Sequence, residues 1–257
     1  MNSLQWLKYQ FYNFITFLFP KGMILLFSSS PKTEWFRNTF FRPMGMPEIY
    51  KKKIQYFHYT LYASCPLQIL SKAEKKGIEP SLSRLIMNHL SPGDECIDIG
   101  SNYGFITMIM AKSVGVNGHV YSFESDQDIF QILLRNIKDN NIDNICSAEN
   151  YFISNNNIGN NQKIDDLLLE RSKKIKLIKI DTDGYDFECL CGSEQLIKQQ
   201  FPLIIIEMTE NNNKIHQKLI NIGYQYFYNQ HYKEILNINY PPNLIASVKP
   251  LQLIPID

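Results

Sequence analysis

The sequence predicts an α/β fold in which a mostly parallel sheet is covered by helices on both faces. From residue 76 onward, apolar runs of strand length alternate with segments of helical periodicity, joined by short links. The run Pro202–Met208 is apolar except for Glu207 near its end, the pattern of a strand buried on both faces. Gly100, Glu124, Asp181 and Glu207 or Met208 fall at the carboxyl ends of such runs. In open parallel sheets, ligands bind there.

Taken in order, Glu95–Ile99 reads as the first strand and Tyr103–Val114 as the helix after it. His119–Glu124 is the second strand, followed by a helix over Asp126–Asp139 with Ser125 and Asp128 as its capping box. That helix buries Phe130, Leu133, Leu134 and Ile137, which recur at helical spacing. A weaker third strand surrounds Ile145–Ser147, and the Asn-rich stretch Asn155–Asn161 reads as a surface loop. Ile175–Ile180 is a fourth strand, with a helix running through Glu194–Gln199 before the Pro202–Met208 strand. A helix over Asn213–Ile222 ends at Gly223, and Tyr224–Tyr228 and Asn243–Val248 close the sheet as a hairpin.

Residues 1–75 form a separate attachment, expected to be helical and aromatic, before a domain over 76–257. Leu4, Leu7, Phe11, Phe14 and Leu18 recur at helical spacing, and Pro20-Lys21-Gly22 ends the pattern. Residues 1–53 hold eight of the 26 basic side chains and two of the 25 acidic ones, so the remainder is net acidic. An aromatic, basic, amphipathic helix suits a peripheral membrane contact through residues 1–30. A helix packed across the domain, a lid over the pocket and a dimer contact are the alternatives.

Composition narrows the class. With 44% hydrophobic residues, 12 Gly and 12 Pro in 257 residues, the chain suits a packed globular protein. A net charge of +1 gives no reason to expect a nucleic-acid partner. The five cysteines are odd in number and mostly sit in apolar runs, the usage of a reducing compartment, so a cytoplasmic location is expected. Cys189-x-Cys191 lacks a second pair at zinc spacing and reads as helix packing. No run of about 18 uninterrupted apolar residues exists to span a bilayer. The first 30 residues have neither a short basic start nor a small-residue cleavage site, so no signal peptide is expected.

The chemistry lies in Asp98-x-Gly100-x-x-x-Gly104, with Ser101 and Asn102 between the glycines, set between a strand and a helix. A dinucleotide fingerprint has a middle glycine that lets pyrophosphate approach the backbone. Here that glycine is missing, and Asp98 adds a carboxylate that repels phosphate and attracts an ammonium. S-adenosylmethionine has an α-amino group, a sulfonium and no phosphate, so its charge pattern suits the loop. Glu124, 20 residues beyond Gly104, ends the next strand, where an acid can grip ribose hydroxyls. A glycine turn serving only strand–helix packing is the structural alternative.

A second run, Lys176–Glu188, places Asp181 and Asp183 two residues apart at a strand end, before Gly184. Asp98–Gly104, Phe123-Glu124-Ser125-Asp126, Lys179–Gly184, Gly192 and Ile205-Ile206-Glu207, with Glu79-Pro80 upstream, together resemble the FkbM-type family of S-adenosylmethionine-dependent methyltransferases. The match runs over residues 79–208, loosely on to 248, and leaves 1–75 outside. This chain has Asp183 where the family usually has glutamate, Thr182 for a β-branched apolar residue and Ser125 for proline. The resemblance implies a Rossmann-like sheet of seven strands whose last runs antiparallel. It also implies O-methyl transfer to a hydroxyl of a sugar, glycan or other small-molecule acceptor.

Gly100, Ser101, Asn102 and Gly104 are then assigned to the methionine end of the donor, Asp98 to its ammonium or a nearby amide, and Glu124 to the ribose. Asp181 meets the reacting end of the pocket. Asp183 is the preferred base and Asp181 its orienting partner or substitute; carboxylates that only stabilise a helix N-terminus are the alternative. Paired oxygens would also suit Mg²⁺, but no third ligand can be named and no metal is assigned. Glu207 either faces the acceptor or is merely solvated. His216 and His119 read as packing or surface residues, while His58 and His231, each beside tyrosines, could border an acceptor site. Two other classes compete: an NAD(P)-linked oxidoreductase, opposed by the missing glycine and by Asp98, and a non-catalytic nucleoside-binding module on the same fold.

Overall fold

A computed structural model describes Trp6, Gln10 and residues 49–170, 173–209, 211–235 and 240–252. The amphipathic pattern of residues 1–30 lies, apart from Trp6 and Gln10, outside the described residues. The chain divides into two units, Met1–Ile78 and Glu79–Asp257.

In the first unit, strands β1 (Ile49–Tyr56) and β2 (Tyr59–Pro66) form an antiparallel hairpin that pairs Tyr56 with Tyr59, followed by helix α1 (Leu67–Lys76). These strands lie within the segment expected to be helical. The reason is local: Ile54, Tyr56, Leu61, Ala63 and Cys65 are buried at alternate positions, a period of two rather than 3.6. The Tyr56 hydroxyl donates to the Ile78 carbonyl, and a Cβ on Gly77 would overlap the Tyr56 ring.

The second unit is a seven-stranded sheet with flanking helices. In chain order it contains α2 (Pro80–His89), β3 (Glu95–Ile99), α3 (Phe105–Val114), β4 (His119–Phe123), α4 (Gln127–Asp139) and β5 (Cys146–Glu149). A two-stranded ribbon, β6 (Phe152–Ile153) with β7 (Asn161–Gln162), brackets the Asn-rich loop. Then come α5 (Ile164–Leu168), β8 (Ile175–Ile180), α6 (Asp186–Gly192), α7 (Glu194–Gln200), β9 (Leu203–Glu207), α8 (Asn212–Ile222), β10 (Tyr226–Tyr228) and β11 (Asn243–Ser247). The strand order is β10-β11-β9-β8-β3-β4-β5, with β11 antiparallel to both its neighbours. This is the expected fold: the last strand in the chain is the reversed one.

Isoleucines dominate the centre of the sheet, and Ile97, Ile178, Ile180, Ile204 and Ile206 are all fully buried. Each such side chain contributes about 1.5–3 kcal/mol on burial. Helix α3 is buried around nearly its whole circumference, so its sequence is apolar rather than amphipathic. Helix α4 presents Leu133 and Ile137 to the core but leaves Leu134 exposed, a narrower stripe than its spacing suggested. Its cap is Asp126, not Ser125: Asp126 Oδ1 accepts from the amides of Asp128 and Ile129, both at 2.9 Å. The helical region before β9 is split at Ser193. Buried Asp165 caps the second piece across the fold, accepting from the amides of Gln195 and Leu196.

The chain passes from β3 outward to β5, then returns to lay β8 on the other side of β3. The switch point is therefore between β3 and β8, and in open α/β sheets ligands bind outside the strands' carboxyl ends at such a point.

Candidate functional site

The glycine loop leaves β3 at this switch point. Gly100 has φ +73°, and a Cβ there would overlap the Asp181 carbonyl, so two backbones meet where only glycine fits. Gly104, at φ +80°, precedes α3, and a Cβ on it would overlap Leu133 of α4.

Every amide from Gly100 to Gly104 has an internal acceptor. Gly100 and Ser101 donate to the Phe123 carbonyl at 2.9 and 3.0 Å, and Gly104 donates to the Ser101 carbonyl at 2.8 Å. Asn102 donates to Glu124 Oε2 at 2.7 Å, and Tyr103 to the Asn102 side chain at 2.8 Å. The other carboxylate oxygen of buried Glu124 accepts from the Asp126 amide at 2.8 Å. Glu124 thus ties the glycine loop to the start of α4, leaving on each oxygen a second lone pair.

Asp98 is fully buried, and the ammonium it meets is the protein's own. Lys179 Nζ lies 3.4 Å from Asp98 Oδ1, 3.2 Å from Asp181 Oδ2 and 3.0 Å from the Gly100 carbonyl, to which it donates. Asp98 Oδ1 has this ion pair but no hydrogen bond, while Oδ2 accepts from Thr107 Oγ1 at 2.6 Å. Thr107 continues to Ser122 Oγ, Ser122 to Ser101 Oγ, and Ser101 back to the Asp98 carbonyl. The register explains the assembly, since Asp98 pairs with Lys179 across β3 and β8 and their side chains share a face. Burial alone would lower the Lys179 pKa, but Asp98, Asp181 and Glu79 outweigh it and hold the lysine charged.

The second loop is organised by Asp186. Its Oδ1 accepts from the amide and hydroxyl of Thr182 at 2.9 and 3.1 Å, and its Oδ2 from the Gly184 amide at 3.3 Å and Thr209 at 3.4 Å. Burial raises its pKa, and the bonds from Thr182 and Gly184 partly offset that. Asp183 is exposed in the left-handed region at φ +49°. Glu207, at the end of β9, is half-buried, with a buried Oε2 that has no donor. Burial first, then the charge and hydrogen bond of Asp181, and finally Asp186 and Asp183, push its pKa up to about 7.

The structure brings together Asp98, Gly100, Ser101, Asn102, Gly104 and Glu124 as one loop assembly, with Asp181 joined to it through Lys179. Asp183 stands apart on its exposed turn. Lys179 and Asp186 were given no role from sequence, yet they hold the two loops. Sequence showed two lysines in this strand, Lys176 and Lys179, and only the fold shows that Lys179 is the buried one. Among the described residues, no three His, Cys, Asp or Glu side chains come together so as to hold a metal ion. All five cysteines are free thiols, Cys189 being buried and Cys191 half-buried. His216 packs against Phe227 and Tyr240, and His119 contacts Ser147 Oγ at 2.8 Å. Just beyond β9, the start of α8 borders a hollow of about 410 Å³ lined by Asn211, Asn212, Asn213, Lys214 and Tyr240. No described helix is long and apolar enough to cross a membrane.

Two family models match parts of the chain. Residues 160–234 match the family model of the methyltransferase FkbM domain, which bears out the resemblance seen in the sequence. Residues 46–151 match that of protein-L-isoaspartate (D-aspartate) O-methyltransferase. Both matched families are methyltransferases, each over less than half of the chain, and the sheet is Rossmann-like. No curated protein matches the chain. Among solved structures, an S-adenosylmethionine-dependent O-methyltransferase from Thermotoga maritima is similar at 12% identity, covering 82% of each chain with a TM-score of 0.49. Methyltransferase FkbM from Methylobacillus flagellatus is 12% identical over 84% of this chain and 71% of its own, with a TM-score of 0.47. An O-methyltransferase from Bacillus cereus, solved in complex with SAH, is 15% identical over 70% and 86%, with a TM-score of 0.45.

The residues present fit S-adenosylmethionine and oppose a dinucleotide. A phosphate needs free amides, and those of residues 100–104 are already bonded within the protein. Glu124, Asp181, Asp183 and Glu207 lie at or just beyond the carboxyl ends of β4, β8 and β9, while Lys179 is enclosed between Asp98 and Asp181. Carboxylates so placed attract a cationic ligand and repel an anionic one.

Proposed function

We propose that the protein is an S-adenosylmethionine-dependent O-methyltransferase acting on a hydroxyl of a sugar, glycan or other small-molecule acceptor. The observation that carries the reading is the glycine loop: its amides are internally bonded, its neighbours are carboxylates, and it lies at the switch point of a methyltransferase sheet. When bound, the donor supplies an electrophilic methyl group on sulfur. The protein's part is to hold a nucleophile in line with that methyl and to take its proton.

Gly100 and Asn102 present backbone to the methionine end, and Glu124 offers its remaining lone pairs to the ribose hydroxyls. Asp98 acts through Lys179, which fixes the Gly100 carbonyl and Asp181 relative to each other. Asp181 and Asp183 follow β8 at the reacting end, on the side that the acceptor approaches. The hollow beside α8, with its amides and Tyr240, suits a hydroxyl-bearing acceptor.

Calorimetry with S-adenosylmethionine, S-adenosylhomocysteine and NAD tests the donor, and transfer from labelled donor to a cell extract tests the reaction. Binding of the two sulfur compounds without NAD, and a labelled product carrying an O-methyl group, are the expected results. Binding of NAD alone would overturn the reading.

A further inference from the structure

We propose that Glu207 is the catalytic proton acceptor, and that Asp181, pinned by Lys179, is the positioning residue that shares a proton with it. The inference rests on the methyltransferase reading above. In the β8–β9 register, Ile180 pairs with Ile206, so Asp181 and Glu207 lie opposite each other one residue beyond, on the face that also carries Lys179. Glu207 Oε2 is buried with no donor in reach, and the group it faces, Asp181, is another acceptor. Two ionised carboxylates in that position leave the oxygen unsatisfied and repel each other, whereas one proton between them satisfies both. Lys179 settles which partner keeps its charge, because its ammonium lies 3.2 Å from Asp181 Oδ2. The proton therefore rests on Glu207.

A group poised this way suits a hydroxyl acceptor. As the acceptor's O–H bond breaks, its proton passes to ionised Glu207. The oxygen's electron pair forms the new C–O bond, and the methyl–sulfur pair stays with sulfur. The proton then leaves Glu207 for solvent. Asp183 sits on an exposed turn where water competes for it, so it is the weaker candidate. The charged groups around Glu207 are Asp181 and Lys179 from β8, and Asp183 and Asp186 from the loop and helix after it. Beyond them lies Glu79 before α2, which acts on Lys179. From β11, Asn243 is the facing residue and carries no charge.

The test uses the full chain labelled with ¹³C at the glutamate carboxyls. One signal should titrate near pH 7, disappear in Glu207→Gln, and move toward the ordinary glutamate range, about pH 4.3, in Asp181→Asn. In parallel, Glu207→Gln should bind S-adenosylhomocysteine within about two-fold of wild type. It should lose transfer to extract by the roughly 10²–10⁴-fold typical of a missing general base, together with the wild-type rise in rate through pH 7. Glu207→Asp, which keeps the charge, should retain part of the rate and controls for folding. A Glu207 signal that titrates in the ordinary range, or unaltered transfer by Glu207→Gln, overturns the proposal. Failure of the wild type to bind S-adenosylhomocysteine is a different result and overturns the methyltransferase reading beneath it.

Discussion

Replacing Lys179 with methionine removes the cation that three backbone and side-chain groups share, at nearly constant side-chain length. Asp98, fully buried, would keep only the Thr107 hydroxyl, 2.6 Å away. Breaking a buried ion pair from one side costs about 3–5 kcal/mol, because a charge is left without compensation. The arm to Asp181 adds little, since that carboxylate is 25% exposed and water screens it. Against a total stability of about 5–15 kcal/mol, the loss is large. At about 2–4 °C per kcal/mol for a domain of this size, Tm should fall by roughly 6–20 °C. Lys179→Met/Asp98→Asn should recover most of the loss, as both charges are then gone.

Thermal and urea unfolding of the two variants would measure this. A loss under about 1 kcal/mol for Lys179→Met, or a double variant no more stable than the single one, would refute the strut.

Gly100→Ala must place a Cβ against the Asp181 carbonyl at φ +73°, so a loss of roughly 2–5 kcal/mol is expected; thermal unfolding and S-adenosylhomocysteine calorimetry would read it. Glu124→Gln turns one of its two accepting oxygens into a donor facing the amide of Asn102 or Asp126, which should cost about 1–3 kcal/mol and weaken donor binding in the same assay. Because folded Glu207 has its pKa raised to about 7, the folded state keeps a proton that the unfolded state has lost. Stability should therefore fall as pH rises from about 4 to about 7, and denaturant titrations of Glu207→Gln should show a weaker fall. Burial pushes the thiols of Cys65, Cys146 and Cys189 up to about 12, so a thiol reagent should label the native protein slowly at these positions and all five in denaturant.

Much of the fold was legible because periodicity carried it. The two central parallel strands, Glu95–Ile99 and Ile175–Ile180, match the observed ones residue for residue, since both are buried on each face and bounded by polar residues. The hairpin of residues 49–66 was missed because Lys51, Lys52 and Lys53 hide its alternation behind a basic run. The break at Ser193 was missed because Asp165, which caps α7, is some thirty residues away in the chain. The site was half legible for the same reason. The glycine loop is local, so its residues could be named together, whereas the environment of each carboxylate depends on strand register. Asp98 looked available to a ligand and is enclosed by Lys179; Glu207 was read as either facing the acceptor or merely solvated, and it faces Asp181. Only the order β9-β8-β3 puts those four side chains on one face, Asp98 beside Lys179 and Asp181 beside Glu207.

That shared face has a consequence for how the protein matures. Asp98 is separated from Lys179 and Glu207 by the whole length of the domain's middle, so a nascent or partly unravelled polypeptide cannot possess the site in any diminished form. Ligand affinity becomes an all-or-nothing report on completed assembly, and a destabilised variant should lose binding sites in number before the surviving ones weaken.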